Sequence, residues 1–507
     1  MKAHSARSVS AFAAFSSKIK AAGGETRTRR GIKKHASAEK HKTISKKFRE
    51  SIRGKITDLV LTKNQDESTS GDTAKSSVTS EPAAEVAKTL LNGRKRKASG
   101  ISGVDTAELK KTKYSAKQPP VKTDIRYQEE PGTSLTTLLQ NLPAPGTDSA
   151  VEAEKLFQWL VSPVTPADFF NGLWEKKPLL LKRHMPDYNA DLFSSQELHN
   201  ILRENDLQFT TNIDVTTYSD GQRETHNPVG RAHAPVVWDF YKNGCSVRLL
   251  NPQTYSDAVW KLNSLLQEYF GSFVGANIYL TPAGSQGFAP HYDDIEAFVL
   301  QLEGKKRWRL YSPRNKEEVL PRFSSANFSQ EEIGEPIFDT ILEPGDMLYF
   351  PRGTIHQAST PDDSHSLHVT LSTCQRNTWG DLMEKLVPQT LQIALQADPD
   401  LHQSLPRDYM QYTGIANSDS TDPRRFAFLQ KVGEMMVRLA SYAPIDDAAD
   451  QMAKSFIHDS LPPKLTQDEH SCSIFGNGLV CSRGNVSNEV EICDDTQIRI
   501  VRRGVVR

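Results

Sequence analysis

The chain divides into two parts of opposite charge. Residues 1–126 contain 29 Lys and Arg against 12 Asp and Glu, a net charge of +17. The remaining 381 residues contain 33 against 50, a net charge of −17, and they hold 37 of the 41 aromatic residues. A segment so basic and so poor in aromatic residues cannot bury enough apolar surface to offset its ordering entropy. We therefore expect a disordered basic tail over residues 1–130, followed by folded domains.

Composition also excludes several classes of protein. No apolar run approaches the roughly 18 residues of a membrane-spanning helix, and the N-terminus lacks the pattern of a secretory signal. The cysteines are odd in number for a disulfide framework, which favours a reducing compartment. They are Cys245, Cys374, Cys472, Cys481 and Cys493.

The tail carries repeated basic clusters at 27–30, 46–47, 94–97 and 110–111. Such clusters are typical of nuclear import signals and of nucleic-acid contacts. We therefore expect a nuclear protein whose tail contacts nucleic acid weakly. Three alternatives remain open. The tail could be solvated and carry no targeting signal, or it could be a mitochondrial transit peptide, since residues 1–24 contain no acidic residue. It could also fold back on the acidic part of the chain and regulate it.

Apolar patterning predicts three regions after the tail. Short alternating or apolar runs between turn residues dominate from 208 to 375, for example at 298–302 and 347–350, and they predict a β sandwich or barrel. The spacing becomes helical from Trp379 to Ala443, and residues 444–507 mix a helix with β-like runs. We place a mainly β domain at 131–377, a helical domain at 378–443 and an α+β domain at 444–507.

A metal site is predicted in the β domain. His291 and Asp293 are two residues apart, so on one strand their side chains would face the same way, whereas Asp294 would face the opposite way. His356 follows a predicted strand that begins after a Pro-Gly-Asp turn. Two histidines and one carboxylate on a β scaffold form the facial triad of non-haem Fe(II) oxygenases, which leaves coordination positions open. His368 is an alternative third ligand, although no turn positions it.

A lysine pair follows the metal motif. Glu303 and Gly304 predict a tight turn that would return Lys305 and Lys306 beside the metal strand. One ammonium there could hold the distal carboxylate of a dicarboxylate cosubstrate, and the other lysine would be solvated. Further along, polar residues at 366, 368, 370 and 372 alternate with apolar residues, which predicts a strand with one polar face toward a site.

These residues resemble the JmjC family of Fe(II)- and 2-oxoglutarate-dependent oxygenases. The resemblance is closest to its ribosomal oxygenase branch, whose nucleolar members are described as histone lysine demethylases and histidyl hydroxylases. It covers residues 150–480 and rests on GCSVRLLNP at 244–252, NIY at 277–279, HYDDIEAF at 291–298, LEGKKRW at 302–308 and HVTLST at 368–373.

The resemblance implies a double-stranded β-helix (jelly roll) and three further assignments. Iron would be held by His291, Asp293 and His356. Lys306, Asn277 and Ser372 would serve the cosubstrate, and Arg248 and Tyr279 the substrate. Dioxygen is the second cosubstrate, and the substrate is a ribosomal-protein histidine, a methylated histone lysine, or both. The helical domain would form a homodimer, and the last domain would be a winged helix, here cut short.

Other functions remain to be separated from this one. A non-catalytic chromatin- or ribosome-binding JmjC module would keep the barrel without turnover. A small-molecule cupin would not need the tail or the C-terminal extension. A zinc site from His470, Cys472, Cys481 and Cys493 is a weaker alternative, because the spacing contains no C-x-x-C.

Overall fold

The computed structural model of the chain describes residues 121–124, 134–142, 148–465, 479–482, 485–488 and 494–495. The expected disordered tail therefore lies outside the described residues except for one short strand. So do His470, Cys472 and Cys493 of the alternative zinc site and most of the expected winged helix. The described residues contain no helix long and apolar enough to cross a membrane.

Fourteen strands are described. They are β1 (Val121–Asp124), β2 (Leu179–Lys182), β3 (Ile213–Ser219), β4 (Gln222–Thr225), β5 (Ser246–Leu250), β6 (Val274–Thr281), β7 (Glu296–Gly304), β8 (Lys306–Tyr311), β9 (Phe338–Leu342), β10 (Met347–Phe350), β11 (Ile355–Ser359), β12 (Ser366–Thr373), β13 (Leu479–Ser482) and β14 (Asn485–Asn488).

Eleven α-helices are described. They are α1 (Leu135–Gln140), α2 (Ser149–Val161), α3 (Pro166–Gly172), α4 (Ser195–Glu204), α5 (Ala234–Lys242), α6 (Asp257–Phe270), α7 (Gln330–Ile333), α8 (Trp379–Ala397), α9 (Tyr409–Tyr412), α10 (Pro423–Leu439) and α11 (Ile445–Asp459).

Two sheets form the β domain. The larger has the order β1-β2-β10-β7-β12-β6-β5-β3-β4, and the smaller has the order β11-β8-β9. From β7 to β12 the chain passes repeatedly from one sheet to the other, which is the jelly-roll arrangement that the resemblance implies. The strand β1 pairs in parallel with β2, so residues assigned to the tail by composition add an edge strand to the larger sheet.

The two faces of the larger sheet pack against different partners. Along β7, Phe298 and Leu300 face a core shared with α2, α3 and α6, whereas Ala297 and Val299 face a smaller core between the two sheets. Alternate side chains of a strand point to opposite faces. Because both faces of β7 are covered by apolar cores, its sequence is a nearly continuous apolar run. The core between the two sheets is the smaller of these two cores.

Residues Trp379–Met452 form a second compact unit. It contains α8, α9, α10 and the start of α11, which confirms the predicted change to helical structure at Trp379. Few of its side chains are buried, and several large apolar ones are exposed. Trp379 is 80% exposed, Met410 72% and Phe426 61%.

The β7–β8 connection corrects the predicted hairpin. Gly304 has φ +62°, as a tight turn requires, but β8 does not return beside β7. It pairs instead with β9 and β11 in the smaller sheet. The prediction fails because a glycine in the left-handed region suits a hairpin and also suits a connection that crosses to another sheet. The local sequence therefore does not distinguish the two connections.

We predict that Gly304→Ala destabilises the β domain. A Cβ atom at this position would lie 1.9 Å from the carbonyl oxygen of His365, in a backbone conformation that L-residues avoid. The two effects together cost about 2–4 kcal/mol, which should lower the midpoint of thermal unfolding by several degrees. The matched control is Gly275→Ala in β6, where a Cβ atom meets nothing within 4 Å. Equal midpoints for the two variants would contradict this account.

Candidate metal centre

Three side chains converge between the sheets. His291 and Asp293 lie in the segment before β7, and His356 is the second residue of β11. Their ligand atoms all lie within 4.8 Å of one another. Asp293 Oδ2 is 3.8 Å from His291 Nε2 and 3.8 Å from His356 Nε2. Since a metal–ligand bond to such atoms is about 2.0–2.2 Å long, one ion can reach all three.

Backbone hydrogen bonds hold the two histidines side by side. The amide of His356 donates to the carbonyl of His291 at 2.8 Å, and the amide of His291 donates to the carbonyl of His356 at 3.2 Å. The prediction that His291 and Asp293 share a strand is wrong, because His291 makes only an isolated bridge and β7 begins at Glu296. The convergence of the three side chains is nevertheless as expected.

The chain's own carbonyl groups orient both imidazoles. Nδ1 of His291 lies 2.8 Å from the carbonyl oxygen of Ala289, and Nδ1 of His356 lies 3.1 Å from that of Thr354. Each carbonyl can only accept, so the proton sits on Nδ1 and the lone pair of Nε2 faces the cluster. Burial, and secondarily His291, lowers the pKa of His356 to about 4. The imidazole is therefore neutral, as a metal ligand must be.

Asp294 faces away from the cluster, as expected. Its carboxylate accepts hydrogen bonds from Ser324 at 2.8 Å and from the side-chain amide of Gln375 at 2.9 Å. These bonds fix the segment before β7 from its other side, and Asp293 is the carboxylate that faces the cluster.

The two lysines have different environments. Lys305 is exposed and pairs with Glu343 at 3.0 Å. Lys306 is buried, and among the described residues its ammonium hydrogen-bonds only the hydroxyl of Thr281, at 3.0 Å. Burial lowers the pKa of Lys306 to about 7. A buried ammonium without a carboxylate partner is costly, and a dicarboxylate in this pocket would supply the missing charge.

The remaining predicted residues line the same pocket. Asn277 and Tyr279 reach it from β6, and Ser372 from β12. Arg248 reaches it from β5, where its Nε donates to Asp214 at 3.1 Å. The Oδ1 atom of Asn277 is buried without a hydrogen-bond partner among the described residues, so the pocket offers an unused acceptor as well as an unused cation.

The polar face of β12 lies where its alternation predicts. His368, Thr370 and Ser372 line the pocket, whereas Leu367, Val369 and Leu371 belong to the core on the opposite face. His368 is not part of the metal cluster among the described residues, so this alternative third ligand receives no support.

Sequence reasoning missed three residues of the site. Trp308 lines the pocket from β8, two positions after Lys306, and the period of two along a strand could have identified it. Phe288 lines the pocket near the guanidinium groups of Arg223 and Arg248. Asp214, the partner of Arg248, lies 34 residues earlier in the chain, and no local pattern marks it.

Comparison with known proteins agrees with this geometry. Residues 248–382 match the JmjC domain, and residues 461–507 match the ribosomal oxygenase 1 C-terminal winged helix domain. Ribosomal oxygenase 1 of Danio rerio is 52% identical over 74% of this chain and 69% of its own length. The chain belongs to the ribosomal oxygenase 1 family.

Two further relatives extend the comparison within this ribosomal oxygenase family. Ribosomal oxygenase 1 of Gallus gallus is 56% identical over 71% of this chain. The bifunctional lysine-specific demethylase and histidyl-hydroxylase NO66 of Branchiostoma floridae is 58% identical over 71% of it. The aligned part spans 60% and 56%, respectively, of the length of these two relatives.

We predict that Asp293→Asn and Asp294→Asn differ sharply in metal binding, although the residues are neighbours. Asp293→Asn removes the only carboxylate of the cluster and should weaken Co²⁺ binding by more than about 100-fold. Asp294→Asn should leave the affinity for Co²⁺ near that of the unaltered protein and cost about 1 kcal/mol of stability through its bonds to Ser324 and Gln375. Calorimetric titration of both full-length variants with Co²⁺ measures the difference. Equal loss of affinity would place the ligand set elsewhere.

Proposed function

We propose that the chain is an Fe(II)- and 2-oxoglutarate-dependent protein oxygenase. One observation carries the proposal: a His-Asp-His cluster and a buried lysine that has no carboxylate partner among the described residues line the same pocket. Iron, 2-oxoglutarate and dioxygen are the cofactor and cosubstrates that fit this arrangement. The activity of family members named above supports the assignment.

The metal and its cosubstrates supply the oxidation. When bound, they insert one atom of dioxygen into a C–H bond of the substrate, while 2-oxoglutarate is converted to succinate and CO2. His291, Asp293 and His356 would hold the metal from one side and leave its other positions open. The chain contributes orientation, charge and exclusion of water.

Lys306 would bind the carboxylate of 2-oxoglutarate that lies away from the metal. Its ammonium and one carboxylate neutralise each other inside a site walled by apolar side chains. Ile295, Ala297 and Phe350 are among them. An apolar wall limits the access of water to the oxidising centre, which protects the chain from uncoupled turnover.

The substrate would be a protein side chain. We propose a histidine of a ribosomal protein, a methylated lysine of a histone tail, or both, as the names of the relatives suggest. The net charge of −17 on residues 127–507 supports a basic protein partner, because opposite charge steers association. Arg248 and Tyr279 would form the substrate side of the pocket, and Asn277 and Ser372 would contact cosubstrate or substrate.

The other regions would serve location and assembly. We propose that the basic tail directs the chain to the nucleus and nucleolus and contacts nucleic acid weakly, as clustered basic residues do. The helical unit at 378–443 would form a homodimer, which its exposed Trp379, Met410 and Phe426 support. Residues 444–507 would form a winged-helix domain.

We predict that Lys306→Ala weakens 2-oxoglutarate binding by about 10- to 150-fold, since a hydrogen bond to a charged group is worth about 1.5–3 kcal/mol. The affinity of the unaltered protein should also fall by roughly fivefold between pH 7 and pH 8. The reason is that rising pH deprotonates an ammonium whose pKa is about 7 and so removes the charge that binds the carboxylate. Lys306→Ala should lose this pH dependence. Calorimetric titration of the Co²⁺-loaded protein measures both effects.

The matched control is Lys305→Ala, which removes an exposed lysine paired with Glu343. Its affinity for 2-oxoglutarate should stay within about twofold of that of the unaltered protein. Equal losses in the two variants would contradict the assignment of Lys306.

The reaction itself is tested by product mass. We expect succinate in equal amount to modified peptide when the Fe(II)-loaded protein meets histidine-containing ribosomal-protein peptides or methyl-lysine histone peptides. A gain of one oxygen atom identifies hydroxylation. A loss of one methylene unit, with release of formaldehyde, identifies demethylation. Metal and 2-oxoglutarate binding without succinate formation on any peptide would favour the non-catalytic module instead.

A further inference from the structure

His368 occupies the pocket wall in an orientation that its neighbours fix. It lies in β12 and is 2% exposed. Its ring stacks parallel to that of Tyr279, with centroids 4.9 Å apart and planes 5° apart. The indole of Trp308 meets it edge-on at 5.5 Å. Two aromatic contacts on different sides hold the imidazole in one plane.

The imidazole has no hydrogen-bond partner among the described residues. Its Nδ1 atom is buried and unpaired. Buried polar atoms are normally satisfied, so an exception at a functional pocket calls for an explanation. Metal coordination does not explain the unpaired nitrogen, because the candidate metal cluster consists of His291, Asp293 and His356 and does not include His368.

The ammonium of Lys306 lines the same pocket and acts electrostatically on His368. Burial, and secondarily that ammonium, holds the pKa of His368 well below its usual value, so the ring is neutral. A neutral imidazole carries one N–H donor and one acceptor nitrogen. The pocket wall therefore presents a cation and a neutral donor to the same space, and neither has an acidic partner among the described residues.

This pair matches one carboxylate in charge and in hydrogen bonds. The ammonium balances the single negative charge, and a neutral donor adds a second hydrogen bond without adding a second positive charge to a buried site. Two adjacent cations would instead repel each other and leave an excess charge after binding.

We propose that His368 binds the distal carboxylate of the dicarboxylate cosubstrate together with Lys306, by donating a hydrogen bond from its imidazole. The inference rests on the proposed function and adds a second anchor to it. His368 thereby becomes a determinant of cosubstrate choice, since a 2-oxo acid without a distal carboxylate cannot use either anchor.

The test measures binding to the full-length Co²⁺-loaded protein by calorimetry. The probes are 2-oxoglutarate and 2-oxobutyrate, which lacks the distal carboxylate. His368→Phe keeps an aromatic ring against Tyr279 and removes both nitrogens. We expect its affinity for 2-oxoglutarate to fall by about tenfold or more, whereas its affinities for 2-oxobutyrate and Co²⁺ should stay within about threefold of those of the unaltered protein.

Amide variants separate hydrogen bonding from packing. His368→Asn and His368→Gln carry an N–H near the positions of Nδ1 and Nε2, and we expect at least one to bind 2-oxoglutarate within about threefold of the unaltered protein. Thermal unfolding shows whether His368→Phe folds. If it does not fold, His368→Leu replaces it in the same binding measurements.

Two results would overturn the inference. One is unchanged binding of 2-oxoglutarate by His368→Phe, and the other is equal loss for both 2-oxo acids, which would assign the ring to packing alone. Failure of the unaltered protein to bind 2-oxoglutarate would refute the proposed function itself. If the unaltered protein binds and Lys306→Ala weakens binding while His368→Phe does not, only the inference fails.

Discussion

The reciprocal backbone pairing of His291 and His356 is the contact on which the site depends. It joins a segment before β7 of the larger sheet to β11 of the smaller one, and it places the two imidazole centroids 4.5 Å apart. Side-chain contacts alone would leave the two histidines free to separate. The main chain therefore sets the spacing, and the carbonyls of Ala289 and Thr354 set the direction of the lone pairs.

The strand that pairs with β11 supplies the positive charge of the site. Lys306 enters the same space from β8, which pairs with β11 so that Leu310 lies opposite His356. An ammonium is expensive to bury, and the fold tolerates this one beside a single hydroxyl. A buried charge that destabilises the free protein is typical of binding sites, because a bound ligand supplies the interaction partner that the protein lacks. The same logic applies to the unpaired atoms of Asn277 and His368.

The sequence predicts which side chains cluster better than it predicts the strands that carry them. The types and spacing of His291, Asp293 and His356 sufficed because a metal demands particular donors. The alternation at 366–372 sufficed for β12 because one face must be apolar. The hairpin after Gly304 was wrong, since which sheet a strand joins depends on contacts far away in the chain. Asp214 and Phe288 were missed for the same reason: their relation to Arg248 exists only after folding.

The most direct test is diffraction from crystals of the full-length protein grown with Mn²⁺ and 2-oxoglutarate without dioxygen. The account predicts one anomalous peak at roughly 2.0–2.3 Å from His291 Nε2, Asp293 Oδ2 and His356 Nε2. It also predicts that the distal carboxylate lies within hydrogen-bond distance of Lys306 Nζ. A peak that excludes any of the three ligands, or a cosubstrate whose distal carboxylate turns away from Lys306, would contradict it.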